Sequence, residues 1–114
     1  MTNDPLVRFR GGENSAPTIT PLNPDPGAVI TDKTPNIAAR VKDTQTDLVK
    51  RNITLAVDGT TIPRAEFTYD TAIDKMVYTP VDRMPLGTHR VRVDAKDELG
   101  AVKTKRWSFE IVAP

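Results

Sequence analysis

Residues 87 to 112 constrain the fold more than any other part of the chain, because they hold two runs of alternating polarity joined by a glycine-containing turn. Val91, Val93 and Ala95 fall on one side of an extended chain, and Arg90, Arg92, Asp94 and Lys96 fall on the other. Side chains of a strand point alternately to two faces, so this spacing describes a strand with one side buried. Trp107, Phe109 and Ile111 repeat the pattern after the turn. An apolar face of this kind has to lie on a second layer, and with the strand-like segments before it the hairpin predicts a small antiparallel sandwich.

At 114 residues the chain suits one domain with one core. The formal net charge is +1 with 27% charged residues, so no field of one sign steers the molecule toward nucleic acid or an anionic membrane. Cysteine is absent, which removes disulfides, thiolate metal ligands and a cysteine nucleophile together. No run reaches the roughly 18 apolar residues of a membrane span, and residues 1 to 10 lack the apolar stretch of a signal peptide. Ten prolines against six glycines suit short strands whose ends and edges are set by proline.

Residues 1 to 16 are rich in turn formers around one short apolar patch, Leu6, Val7 and Phe9, and read as a polar leader or linker before a domain at 17 to 114. Seven strands are expected there, at 18–20, 36–42, 52–57, 60–69, 76–79, 88–97 and 101–112, with residues 28 to 31 pairing briefly. Asp58-Gly59 signals a hairpin, since both residues tolerate positive φ. Pro63 has no amide hydrogen and places its strand at a sheet edge. Residues 43 to 51 read as a long loop in which Leu48 and Val49 find no partner at strand spacing. Strands that alternate in direction bring the loops at 43–51, 70–75 and 98–100 to one pole, with the chain entering at that pole and leaving at the other.

Residues 17 to 112 resemble one unit of the bacterial Ig-like domains that occur in tandem in surface and secreted proteins. The resemblance is carried by Pro17-Thr18-Ile19, by Pro24-Asp25-Pro26-Gly27-Ala28-Val29-Ile30-Thr31-Asp32-Lys33-Thr34-Pro35-Asn36-Ile37 and by Val57-Asp58-Gly59. It extends through Val77-Tyr78-Thr79-Pro80, Leu86-Gly87-Thr88-His89 and Trp107-Ser108-Phe109. It implies an all-β, seven-stranded antiparallel Ig-like sandwich of Greek-key type, related in architecture to fibronectin type III and cadherin modules. Units of this kind serve as spacers, adhesins, carbohydrate-binding accessories or appended domains of phage virions.

His89 is the sole histidine. A hydrolase would need a nucleophile and an orienting carboxylate beside it, and the chain has no Gly-x-Ser-x-Gly element, so a half-buried packing role is the expectation. One histidine without cysteine does not make a zinc site. Asp43, Asp47, Asp70, Asp74, Asp97 and Glu98 lie in loops of the same pole, where their oxygens could converge on calcium. Flanking lysines and the habit of Asp to cap turns favour solvated turn residues instead, and no resident cofactor is expected. Arg90, Arg92 and Arg106 share an outward face as a small basic patch that Asp94 and Glu110 can offset. With Leu6, Val7 and Phe9 they are the candidate partner-contact residues. Trp107 and Phe109 face the core, leaving Phe67, Tyr69 and Tyr78 as the aromatic residues whose side is open. Asn52-Ile53-Thr54 matches a glycosylation sequon, a frequent three-residue pattern.

Two functional expectations follow. One is a non-enzymatic Ig-like module of a bacterial extracellular or cell-surface protein, a spacer or adhesive accessory that contacts neighbouring domains or a protein or glycan surface and is monomeric when isolated. The alternative is a structural protein on the surface of a phage virion, suggested by Met1, the polar leader and the lack of a signal peptide.

Overall fold

In the computed structural model, residues 16–43 and 48–114 are described; the candidates Leu6, Val7, Phe9 and Asp47 lie outside them. Among the described residues nine strands form two sheets that share one core. The strands are β1 (Thr18–Asn23), β2 (Val29–Ile30), β3 (Ile37–Lys42), β4 (Ile53–Val57), β5 (Thr60–Ile62), β6 (Phe67–Asp70), β7 (Lys75–Tyr78), β8 (Gly87–Lys96) and β9 (Val102–Ile111). One sheet has the order β1-β3-β7-β6 and the other β2-β9-β8-β4-β5. The all-β sandwich agrees with the alternation in the sequence. The count of seven and the wholly antiparallel pairing do not.

Both corrections have local causes. The segment around residues 28 to 31 becomes β2, which runs parallel to the last strand, with Val29 opposite Glu110 and Ile30 opposite Ile111, so this sheet is mixed. The expected strand at 60–69 is cut in two at Pro63. Its first half, β5, pairs with β4 through Ile62 opposite Leu55, and its second half, β6, pairs with β7 in the other sheet. Proline cannot donate to a ladder, so pairing stops there and a short 3-10 turn, Arg64–Glu66, carries the chain across. The Ile53 carbonyl takes its hydrogen from the Arg64 side chain at 3.0 Å. Lys50 then pins the crossing by donating to the carbonyls of Arg64 and Phe67, each at 2.8 Å.

The alternation predicted for each strand is realised in the core. Ile37, Ala39 and Val41, Ile53 and Leu55, Val91, Val93 and Ala95, and Trp107, Phe109 and Ile111 are all buried. Leu48, expected to lack a partner, is 3% exposed and belongs to the core, because the chain returning toward β4 through the 3-10 turn Lys50–Asn52 lays it there. Asn52 of the sequon accepts the Val49 amide hydrogen at 2.9 Å and so holds that turn.

One departure from alternation is informative. Lys103 and Lys105 have the parity of the core residues of β9, opposite Ala95 and Val93, yet neither is buried. Strand β2 pairs with β9 only at its far end, leaving the first half of β9 as a sheet edge. Lysines aimed inward along an edge keep a second strand from adding to it.

Pairing registers define two poles. Thr18 lies opposite Lys42, and Arg40 opposite Lys75. Ile53 lies opposite Ala95, and Lys96 opposite Val102. The loops after β3, β6 and β8 therefore share the entry pole, as the sequence implies. Strand β9 ends at Ile111, opposite Gly87, at the other pole, so the chain enters and leaves at opposite ends.

Candidate functional site

The outward face of β4, β8 and β9 brings the three predicted arginines together. Arg92 lies between Ala56 of β4 and Arg106 of β9, and Arg90 lies opposite Ser108. They line a shallow groove of about 420 Å³ whose remaining wall includes Ala56, Gly59 and Ser108. The small side chains leave room above the sheet, so the guanidinium groups form the rim of a concavity.

Charge is only partly offset in this groove. Asp94 accepts Arg92 Nε at 3.1 Å, from two residues along the same strand, and also accepts the Thr104 hydroxyl at 2.6 Å. The expected offset by Glu110 is not realised, because that residue lies opposite Thr88 and Val29. No ion pair engages Arg90 or Arg106 among the described residues. Like charges placed directly opposite each other, as Arg92 and Arg106 are, destabilise a sheet. A surface with this arrangement attracts oxyanions, which a guanidinium binds through paired N–H donors.

Two of the carboxylates singled out for calcium, Asp70 and Asp97, hold turns. Asp70 accepts the Ala72 amide at 2.9 Å. Asp74 has φ 55°, and its carbonyl accepts the Val41 amide at 2.8 Å. Asp97 is buried and accepts the amides of Leu99 at 3.0 Å and Ala101 at 2.9 Å. Glu98 lies 3.8 Å from Arg51 on an exposed surface. Asp43 follows the end of β3, and no cluster of three or more metal-ligating side chains occurs among the described residues.

His89 departs from the half-buried role expected of it. It is 4% exposed, and both ring nitrogens are engaged, Nδ1 with Asp58 Oδ2 at 2.6 Å and Nε2 with the Pro85 carbonyl at 2.7 Å. The turn at Asp58-Gly59, with φ of 51° and 82°, aims the Asp58 side chain back over the sheet, where it also accepts the Arg90 amide at 2.8 Å. A carbonyl can only accept, so Nε2 carries a hydrogen, and an ionised Asp58 draws a second one to Nδ1. Burial works against the charged ring; the hydrogen bonds to Asp58 and Pro85 together with the Asp58 charge outweigh it, raising the His89 pKa above 6.5. The pair thus has the carboxylate partner of a general base while its other nitrogen is committed to the connection between β7 and β8. Asp58-Gly59 was legible as a turn; its link to a histidine 31 residues away was not.

The open aromatic residues divide. Phe67 is buried beneath the Lys50 ammonium, and the Tyr69 hydroxyl donates to the Val41 carbonyl at 2.6 Å. Tyr78 lines a second depression of about 320 Å³ under the connection between β7 and β8. Burial first, then the charges of Glu66 and Asp82, hold its hydroxyl pKa above 10.0.

Neither a protein-family model nor the sequence of a curated protein matches the chain. Its fold is that of known structures. CopC from Methylosinus trichosporium superposes with a TM-score of 0.62 at 7% identity, over 84% of this chain and 95% of that one. Dimeric latent PorU from Porphyromonas gingivalis gives a TM-score of 0.64 at 20% identity, over 95% of this chain and 12% of that one. At such identities the likeness concerns the fold alone. The same sandwich accounts for nearly all of one chain and about an eighth of the other. Among the described residues no helix is long and apolar enough to cross a membrane.

Proposed function

We propose that this chain is a non-enzymatic Ig-like module of a bacterial extracellular or cell-surface protein, a spacer that also offers a basic contact face. The entry and exit of the chain at opposite poles carry the reading, because a unit built so can be strung in series and hold its neighbours apart. Two further observations support it. The order β1-β3-β7-β6 facing β9-β8-β4 is consistent with the two sheets of an Ig sandwich, to which β5 adds beside β4 and β2 as a parallel edge piece beside β9. The PorU match shows that this fold can be a small part of a long chain.

Two experiments test the reading. On intact cells of its source, the protein is expected to react with a membrane-impermeant amine reagent; labelling only after lysis would exclude a surface location. On a sulfated-polysaccharide column, the double variant Arg90→Glu/Arg106→Glu is expected to elute at distinctly lower salt than Lys33→Glu/Lys103→Glu, which changes the net charge equally. Equal shifts would show bulk charge at work and dismiss the groove as a contact site.

A further inference from the structure

We infer that the arginine groove on the outer face of β4, β8 and β9 is a binding site for a tetrahedral oxyanion, the sulfate or phosphate monoester of a body without an aromatic ring, such as a sugar. The inference rests on the basic contact face proposed above and adds the chemistry of what that face holds. Arg90 and Arg92 stand two residues apart on β8 and leave the sheet on one side, and Arg106 lies opposite Arg92 and diagonal to Arg90. Sheet geometry keeps the Cβ atoms of such a triangle within about 8 Å of one another, well inside the reach of three arginine side chains. Arg92 gives its Nε to Asp94, while neither Arg90 nor Arg106 has an ion-pair partner among the described residues. Asp58, in the turn beside Arg90, directs its two oxygens to His89 and to the Arg90 backbone amide, which leaves the Arg90 guanidinium to the groove.

Geometry selects the anion. The two oxygens of a planar carboxylate are matched by the paired N–H groups of one arginine, whereas a sulfate or phosphate monoester presents three free oxygens in different directions and can accept from three guanidinium groups together. An anion lodged there also offsets the repulsion between Arg92 and Arg106, so it stabilises a pair that the sheet alone leaves unfavourable. Volume selects an ester over a free ion, because about 420 Å³ is in the range of small-ligand clefts and exceeds what a lone sulfate fills. Ala56, Gly59 and Ser108 are then the floor beneath the body that carries the anion, with the Ser108 hydroxyl a further donor. That floor suits no nucleotide base, which is held by aromatic stacking. Trp107, the aromatic residue lining the groove, is itself buried in the core.

Amide spectra of the full chain, recorded by nuclear magnetic resonance at constant ionic strength, test the inference with glucose-6-sulfate, glucose-6-phosphate and glucuronate. The three share one sugar ring, and the sulfate and the carboxylate carry one charge each, so those two compare anion geometry at equal charge. Shifts are expected at Arg90, Arg92, Arg106 and Ser108, with glucose-6-sulfate bound about fivefold or more tightly than glucuronate. Arg90→Lys and Arg106→Lys, both at exposed positions and equal in charge to wild type, should keep the native circular dichroism. Each should weaken the binding of both esters about fivefold or more, since lysine lacks the planar fork. Asp94→Asn frees Arg92 and can still accept the Thr104 hydrogen, so it should bind glucose-6-sulfate more tightly than wild type does. Tighter binding of the sulfate than of the phosphate identifies sulfated saccharides as the source; the reverse order, with the sulfate still above glucuronate, identifies phosphorylated ones. Glucuronate bound as tightly as glucose-6-sulfate, lysine variants that bind as wild type does, or no shift in the groove at millimolar ester overturns the inference. Elution from a polysaccharide column reports the charge of the face and labelling of intact cells its location, so failure of those readings is distinguishable from failure of this one.

Discussion

Replacing Trp107 with Ala is expected to cost about 3 to 5 kcal/mol of stability, the range for emptying a large aromatic site in a close-packed core. Trp107 is 6% exposed in the core of the sandwich, and its indole nitrogen donates to the Pro24 carbonyl at 3.0 Å. That bond ties β9 to the passage between β1 and β2 across 83 residues of sequence. The substitution therefore leaves a cavity and removes the donor to a buried carbonyl. Urea unfolding followed by far-ultraviolet circular dichroism measures the effect, and a midpoint within error of wild type would refute it. Because Trp107 is the single tryptophan, its emission should be blue-shifted in the folded protein and move to the red on unfolding.

Asp58→Ala is expected to cost about 2 kcal/mol, as a buried donor on His89 and the Arg90 amide lose their acceptor. The accompanying pH dependence has a definite sign. The folded chain holds the His89 proton more tightly than the unfolded chain does. Its contribution is therefore complete below the ordinary histidine value of about 6.5 and is lost as pH rises through the higher folded value. Stability measured by urea unfolding should fall from about pH 6 upward, and Asp58→Asn should flatten that slope, since the amide keeps the turn and can accept the Arg90 hydrogen without the charge. A slope of equal size in Asp58→Asn would show that His89 is not its source.

The clamp also shows where reading a sequence stops. Asp58-Gly59 announces a reversal because backbone sterics are local to two residues. That the Asp58 side chain then reaches His89 depends on β4 lying beside β8 in one register. The expected arginine cluster came out together because Arg90 and Arg92 share a strand face and the β8–β9 hairpin sets Arg106 opposite Arg92. Its supposed relief by Glu110 failed for the same reason, since that hairpin register carries Glu110 to Thr88.

Alternating polarity alone determined that this chain makes a two-layered β body, which side of each long strand is buried, and that Trp107, Phe109 and Ile111 line its core. Those properties follow from a two-residue period that each segment carries by itself. Only the tertiary structure decided that the run broken at Pro63 is shared between two sheets, that residues 29 and 30 lie parallel to the last strand, that Leu48 fills the core and that His89 meets Asp58. Each of these depends on contacts between segments far apart in the chain, where the free energy resides in the fit of two surfaces and neither segment alone encodes the match.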